Sequence, residues 1–201
     1  MLFTASSSQK EVWSIIKNHL HLGASDPKHP FHFVNLCTLD GDQPDSRYVV
    51  LREVNAALQL FIYTDSRSEK IAQINKNPNV SLLFYHAEER CQVKINGKAN
   101  IVSNTEIHKE HWKSIQKDAQ KGYQSILAPK TTVSRPEEGW EQKSDFQSKN
   151  FSVISILPDQ IECLQLDRRG HLRIAFDKVK ITGFQLGWSL DILTIYIARW
   201  A

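Results

Sequence analysis

Basic and hydroxyl side chains recur in three short clusters in the first half of the chain. The clusters are, in chain order, residues 47–52 (RYVVLR), 63–64 (YT) and 66–70 (SRSEK). Guanidinium and ammonium groups form strong, charge-assisted hydrogen bonds to phosphate oxygens, and hydroxyl groups add further donors. These residue types therefore predict a binding site for a phosphate monoester.

The third cluster is expected to begin a helix. Ser66 with Glu69 three residues later forms a capping-box pattern, which predicts a helix over residues 66–75 that ends before Pro78. Unpaired amide N–H groups and the helix dipole make such a start favourable for an anion. Taken alone, Ser66 is only a cap and Arg67 and Lys70 are solvated surface residues. The neighbouring clusters favour the phosphate interpretation.

Arg47 and Arg52 lie on a predicted strand and are five residues apart. A strand rises about 3.3 Å per residue, so the two guanidinium groups are separated by roughly 17 Å. Alternate strand positions point to opposite faces, which leaves open that one of them pairs with a surface carboxylate.

Segments rich in β-branched and aromatic residues surround these clusters. Ser8 and Glu11 form a capping box before a first helix that is expected to end near residues 21–23. Turn residues separate the apolar segments, which favours strands with short connections. The strands are predicted over residues 31–39, 46–54, 58–63, 79–85 and 91–102.

The second half of the chain is predicted to return to the same sheet. Residues 103–106 cap a further helix, and residues 129–150 form a polar surface loop. Strands are predicted over residues 151–166, 171–176 and 190–200. Antiparallel strands with helical insertions favour a closed or nearly closed barrel, since closure removes exposed edges. We expect a mainly β fold in a single domain over residues 1–201.

Composition narrows the class of protein. The chain has 41% hydrophobic residues and a formal charge of +3, which is too small a bias to indicate a nucleic-acid partner. Cys37, Cys91 and Cys163 are odd in number and far apart, which favours a reducing compartment over disulfides. The N-terminal residues show neither a leader nor a bilayer span, so we expect a cytoplasmic protein with no membrane partner.

The order and separation of the clusters resemble the pyridoxamine 5'-phosphate oxidase family, and more particularly its broad FMN-binding relatives. Residues 77–84 (NPNVSLLF) and 89–99 (ERCQVKINGKA) extend the resemblance, which covers about half of the chain. It implies an FMN-binding split β-barrel and a homodimer with one flavin in each cleft between subunits. A small-molecule substrate would be oxidised at the flavin.

The resemblance also implies roles for individual residues. The phosphate end would be held by Arg47, Arg67, Ser68 and Lys70, with contacts along the cofactor from Val49, Leu51, Arg52, Tyr63, Thr64, Gln92 and Arg173. Substrate would meet Arg52, Arg169 and His171. The pattern further implies that residues 91–102 form one bent strand with a bulge at Gly97, although Asn96-Gly97 alone is a hairpin-turn signal.

Several positions depart from the family pattern. Glu69 stands where an Arg is expected, so Arg67 or Arg47 must supply the missing charge, and Leu164 replaces an aromatic residue near the flavin. The Tyr, Arg and Ser that bind the substrate phosphate in the family are missing, because residues 110–120 contain no Tyr or Arg and Ala119 replaces the Ser. Residues 128–129 (Ala-Pro) replace a Gln-Ser flavin contact. His108 and His111 are expected to be solvated, since no third metal ligand is near them.

These observations favour a flavin-dependent oxidoreductase acting on an unidentified small molecule. A true pyridoxamine or pyridoxine 5'-phosphate oxidase is an alternative, which requires another basic group such as Arg135 to replace the missing substrate-phosphate residues. A non-catalytic flavin carrier or sensor is a second alternative, because binding residues outnumber candidate catalytic ones. An RNA-binding barrel is disfavoured by the small net charge.

Overall fold

Six antiparallel strands close into a barrel in the computed structural model, which describes residues 1–103, 105–140, 148–181, 185–188 and 196–198. The strand order is β3-β2-β1-β4-β5-β6, and β3 also pairs with β6, which completes the closure. The six strands are β1 (Phe33–Asp40), β2 (Gln43–Val54), β3 (Leu60–Asp65), β4 (Asn79–His86), β5 (Cys91–Ile101) and β6 (Phe151–Gln165). The predicted mainly β barrel with helical insertions is confirmed.

The long strand β6 belongs to the barrel and to an extension of the sheet. Its first residues pair with β3, from Phe151 opposite Asp65 to Ile156 opposite Leu60. Its second half pairs with β7 (His171–Ile181), which in turn pairs with β8 (Gln185–Trp188) and β9 (Tyr196–Ala198). Of the strand predicted over residues 190–200, only 196–198 lie within the described residues. The sequence reasoning did not predict β8.

The core fills the inside of the barrel. Leu36, Leu82, Ile95 and Ile161 are paired in register across β1, β4, β5 and β6, and all four are fully buried. Each such side chain contributes about 1.5–3 kcal/mol through burial of apolar surface. This layer fixes the register of the strands, because a shift by one residue would turn it to solvent.

In the described part of the chain, four α-helices connect and cover the strands. They are α1 (Gln9–Ser25), α2 (Glu69–Lys76), α3 (Thr105–Ser114) and α4 (Lys117–Gln120). The capping box of Ser8 and Glu11 is present as predicted, but α1 continues beyond its expected end at residues 21–23. Within the described residues, no helix has both the length and the apolar character needed to cross a membrane.

The start of α2 differs from the prediction. Its N-cap is Ser68, so the expected capping box of Ser66 and Glu69 is wrong. The Asp65 carboxylate accepts the Arg67 N–H at 2.8 Å, and the Ser68 N–H donates to the Asp65 carbonyl at 3.1 Å. These hydrogen bonds form a turn that delays the helix by two residues beyond Ser66, whose own N–H donates to the Asn150 carbonyl at 2.8 Å.

Strand β5 is continuous through Asn96 and Gly97, as the sequence analysis predicted. The pairing with β6 shifts register at this point, and the extra residue of the bulge is Asp159 on β6 rather than Gly97. A Cβ atom at Gly97 would lie 2.4 Å from the Leu157 carbonyl oxygen. Glycine is therefore required here by the close approach of another backbone.

The predicted surface loop over residues 129–150 is described at its two ends. Residues 129–132 and 134–137 are exposed, and a short 3₁₀ turn occupies Pro136–Trp140. Residues 141–147 lie outside the described part of the chain.

Candidate functional site

Four side chains at one end of the barrel form what we call the basic cluster, which consists of Arg47, Thr64, Ser68 and Lys70. Arg47 pairs in register with the buried Leu36, so it points toward the inner side of β2. Its guanidinium donates to Thr38 Oγ1 and, at 3.1 Å, to Gln73 Oε1 of α2. β2, the end of β3 and the start of α2 thus converge on one small region.

Lys70 is the half-buried cation of this cluster. Its Nζ donates to Thr64 Oγ1 at 3.0 Å, and Thr64 Oγ1 lies 3.3 Å from the buried Ser68 hydroxyl. Burial, followed by the nearby charge of Arg47, lowers the pKa of the Lys70 ammonium. The Ser68 side chain makes no capping hydrogen bond to α2. The cluster therefore offers charge, hydroxyl groups and a helix start to an incoming anion.

Arg67, which was predicted to reach the same phosphate, is directed elsewhere. It forms a two-point ion pair with Asp65, at 2.7 Å and 3.0 Å. It also donates to the carbonyl oxygens of Ser125 and Ile126, both at 3.0 Å. These partners use four of the five donors of its guanidinium, so Arg67 attaches the segment after α4 to the α2 start.

Further charged side chains lie beside the basic cluster, among them Asp45, Glu69 and Lys130. Asp45 forms an ion pair with Arg47 and accepts from Gln73 Nε2 at 2.9 Å, and the pKa of Asp45 is lowered first by this Gln73 hydrogen bond. Glu69 forms an ion pair with Lys130. The alternation on β2 that places Asp45 beside Arg47 was readable in the sequence, whereas Lys130 lies sixty residues from Glu69 and left no local signal.

Arg52 and Tyr63 lie on the outer face of the barrel and are not part of the basic cluster. Arg52 is the extra residue of a β-bulge between Leu51 and Glu53, and its guanidinium lies 5.9 Å from the centre of the Tyr63 ring. The Tyr63 hydroxyl contacts His111 Nδ1 at 2.9 Å. Burial raises the pKa of Tyr63.

The expectation that His111 is solvated is wrong. Its side chain is buried against Phe61, because α3 packs onto the outer face of β3 and β6. Burial lowers the pKa of His111, which favours the neutral ring. His108 is half-buried and its Nε2 contacts the Phe151 carbonyl at 2.9 Å. Both histidines therefore help to attach α3 to the barrel.

Val49 and Leu51 have core side chains. Leu51 is fully buried, and Val49 is packed against the same cluster. Only their backbone groups are available to a ligand.

Gln92 and Arg173 lie together on a different face of the molecule. Gln92 of β5 pairs in register with Tyr85 and Leu164, and Leu164 pairs with Arg173 of β7. Arg173 also forms an ion pair with Glu162 at 3.2 Å. This row faces outward from β5, β6 and β7, whereas the basic cluster lies between β2, β3 and α2. One chain therefore presents the two predicted halves of the flavin site on separate surfaces.

Arg169 and His171 flank the turn between β6 and β7. Arg169 forms an ion pair with Asp167 at 3.2 Å, and its side chain is 86% exposed. His171 Nδ1 accepts the Asp167 N–H at 3.3 Å. Both residues are near Arg173 in the chain and separate from the basic cluster.

Three histidines that the sequence reasoning did not connect lie near the start of β1. One nitrogen from each of His19, His29 and His86 lies within 4.8 Å of the others, and His19 Nδ1 is 3.0 Å from His29 Nε2. His29 Nδ1 accepts the Phe31 N–H at 3.1 Å, and His86 Nδ1 accepts the Glu89 N–H at 3.3 Å. A neutral ring that accepts at Nδ1 carries its proton on Nε2. His29 Nε2 is then protonated and donates to His19 Nδ1, so this pair favours a hydrogen-bonded arrangement over a metal site.

Comparison with known sequences places the chain beside a group of flavoenzymes. A family model described as the pyridoxamine 5'-phosphate oxidase FMN-binding domain matches residues 10–103. A pyridoxine/pyridoxamine 5'-phosphate oxidase of Leptospira interrogans is 34% identical over 154 residues, which cover 70% of this chain and 69% of the relative. The protein of the same name from Haemophilus influenzae is 32% identical over 184 residues, with coverages of 85% and 82%.

Solved structures share the fold at lower identity. An FMN-binding protein of Nostoc punctiforme, related to pyridoxamine 5'-phosphate oxidase, has a TM-score of 0.69 and 21% identity, covering 88% of this chain and 94% of that one. PhzG from Burkholderia lata, solved with tetrahydrophenazine-1-carboxylic acid, also has a TM-score of 0.69, with 16% identity and coverages of 96% and 95%. At these identities the likeness establishes the split-barrel fold.

Proposed function

Because this chain belongs to the pyridoxamine 5'-phosphate oxidase family, whose shared domain binds FMN, we propose that it is an FMN-dependent oxidoreductase acting on a small molecule. Its membership follows from relatives that are 34% and 32% identical over most of their length. The reaction is inferred from this membership, and the cofactor contacts are inferred from the site.

The observation that carries the proposal is the basic cluster. Arg47 and Lys70 present two cations next to the hydroxyl groups of Thr64 and Ser68, at the start of a helix whose N-cap side chain makes no capping bond. A monoester phosphate is nearly a dianion and matches this donor set. The residues present therefore fit the phosphate end of FMN.

Bound FMN would supply the redox chemistry, and the residues of this chain would position it. Arg52 lies on a bulge at the outer end of β2, and the family pattern places it at the ring. Positive charge from Arg52, and from Arg173 across a subunit boundary, would stabilise negative charge that develops on the ring.

The cofactor proposal is tested with purified protein. We expect visible flavin absorbance and tighter binding of FMN than of riboflavin, which lacks the phosphate. The double variant Arg47→Ala/Lys70→Ala should lose flavin during purification, whereas Lys28→Ala/Lys113→Ala, which removes two cations elsewhere, should keep it. Full flavin content in the Arg47/Lys70 variant would refute the assignment of the basic cluster.

We also infer that the chain acts as a homodimer with the flavin at the subunit boundary. Gln92 and Arg173 lie away from the basic cluster in one chain, so a second chain is needed to bring them to the same flavin. The outer face of β1, β2 and β4 supports this inference, because large apolar side chains are exposed there. They are Phe33, Tyr48, Leu83 and Tyr85.

The names of the two relatives favour oxidation of pyridoxamine 5'-phosphate as a second candidate activity. Against it, the substrate-phosphate residues expected on α3 and α4 are absent, and Arg135 pairs with Glu138 at 3.6 Å with its side chain 79% exposed. We expect peroxide release with this substrate and oxygen to stay well below about 10⁴ M⁻¹s⁻¹ in kcat/KM. A higher value would establish the second candidate, and no turnover of any amine or alcohol tested would favour a flavin carrier.

A further inference from the structure

Residues 124–131 cross the start of α2, and we call this segment the strap. Arg67 donates to two strap carbonyls, those of Ser125 and Ile126. At the far end of the strap, Lys130 Nζ donates to Glu69 Oε2, at the first residue of α2. Contacts at both ends therefore hold the strap beside the basic cluster.

The backbone of Lys130 has an uncommon conformation. Its φ is 66°, in the left-handed region that a residue with a Cβ rarely adopts. Such a conformation persists where the surrounding structure requires it, and it often marks a ligand contact. The charge of Lys130 makes a small contribution to the lowered pKa of Asp45, after the Gln73 hydrogen bond, and to the lowered pKa of Lys70, after burial and Arg47. Lys130 therefore lies within electrostatic range of the basic cluster.

The ion pairs around the basic cluster differ in how firmly each one holds its cation. Arg67 is held by Asp65 at two points and by the strap carbonyls, so it is not free to turn to a ligand. The Lys130 and Glu69 side chains are 68% and 52% exposed. Exposed pairs of this kind contribute little, because water screens the charges. A phosphate dianion would compete successfully with Glu69 for Lys130.

We propose that Lys130 is a binding residue for the phosphate of FMN and that Glu69 competes for it in the free protein. The proposal rests on the proposed cofactor site and adds a residue to it. The Lys130 ammonium on the strap would supply positive charge at the α2 start, where the Glu69 carboxylate makes the site less favourable for an anion. When the phosphate arrives, the Lys130 ammonium would leave the carboxylate and donate to a phosphate oxygen.

Replacement of Lys130 and replacement of Glu69 should then have opposite effects on FMN affinity. We expect Lys130→Gln to weaken FMN binding about tenfold, as for loss of a hydrogen bond to a charged group. Glu69→Gln should tighten FMN binding by roughly threefold, since it removes an exposed competing carboxylate. A purely structural ion pair predicts that both variants weaken binding together.

The measurement is FMN and riboflavin titration by quenching of flavin fluorescence at low salt. Riboflavin affinity should be unchanged in both variants, because it has no phosphate. The control is the double variant Arg135→Gln/Glu138→Gln, which removes an exposed ion pair on the neighbouring segment. Thermal melting of the flavin-free proteins shows whether each variant is folded. Loss of affinity in both variants, or no change in either, overturns the role of Lys130. Failure of the unmodified protein to bind FMN would instead refute the proposed function itself.

Discussion

Lys70, a residue of the proposed FMN site, is held in an unfavourable state in the flavin-free protein. Its ammonium is half-buried and has a hydroxyl group as its hydrogen-bond acceptor. Its pKa in the folded protein is below the ordinary value, so the unfolded chain binds protons more tightly at this position. Stability therefore rises with pH between the folded and unfolded pKa values, and at neutral pH the folded protein bears the full cost of the buried charge.

Replacement of Lys70 by methionine should raise the stability of the flavin-free protein and reduce FMN binding. The stabilisation arises because the variant buries an apolar side chain of similar length in place of a partly desolvated cation. A gain of 1 kcal/mol corresponds to a rise of about 2–4 °C in Tm for a domain of this size. Calorimetry without flavin and FMN titration measure the two effects. A lower Tm in Lys70→Met would show that the charge stabilises the free protein.

At the scale of the elements, Gly97 marks a close approach of β5 to the backbone of β6. Gly97→Ala should destabilise the protein by about 1–3 kcal/mol, the usual cost of inserting a methyl group into a packed region, because its Cβ would meet the Leu157 carbonyl at 2.4 Å. Gly122→Ala is the matched control, since a Cβ there meets nothing within 4 Å. Chemical unfolding compares the two variants. Equal stabilities would mean that β6 moves away at little cost.

The histidine cluster predicts a loss of stability on mild acidification. Burial, followed by neighbouring histidines, lowers the pKa of His19 and His29, while Glu89 and Asp26 partly oppose this effect. The unfolded chain therefore takes up protons first, and stability is lost as pH falls through and below the ordinary histidine value of ~6.5. Unfolding free energy should fall between about pH 7.5 and about pH 5.5, and His19→Gln should reduce that slope. Identical slopes would exclude the cluster as the cause.

Local patterns predicted the elements better than the contacts between them. Local sequence patterns indicated the six strands of the barrel, and the capping box at Ser8 correctly began α1. The start of α2 was misplaced because Asp65 competes for the backbone N–H groups near Ser66. Likewise, the environment of His111 and the pairing of Lys130 with Glu69 depend on residues far away in the chain. Such contacts follow from tertiary packing, which no short window of sequence contains.

At the scale of the whole molecule, the exposed apolar face makes the proposed dimer testable. Tyr48 and Leu83 both pair in register with Asn35, and they are 75% and 42% exposed. The double variant Tyr48→Glu/Leu83→Glu places two charges in this row of side chains. We expect this variant to sediment as a monomer and to lose FMN, because desolvating charges at an interface is unfavourable. Leu22→Glu, on an exposed leucine of α1, should change neither property. A dimeric double variant would place the interface elsewhere.

Barrel closure also has a consequence for the order of events during folding. β3 ends at Asp65. The edge of β3 that does not pair with β2 pairs with residues 151–156 of β6. On a ribosome, the backbone groups on that edge stay unpaired while some ninety further residues are synthesised, and closing so long a loop is slow. Thr64 pairs with Ser152, so the hydroxyl group that we propose for the phosphate site is among the last to reach its final position. If the proposed site is correct, cofactor loading is tied to completion of β6, and a truncated product that ends before β6 would not trap flavin.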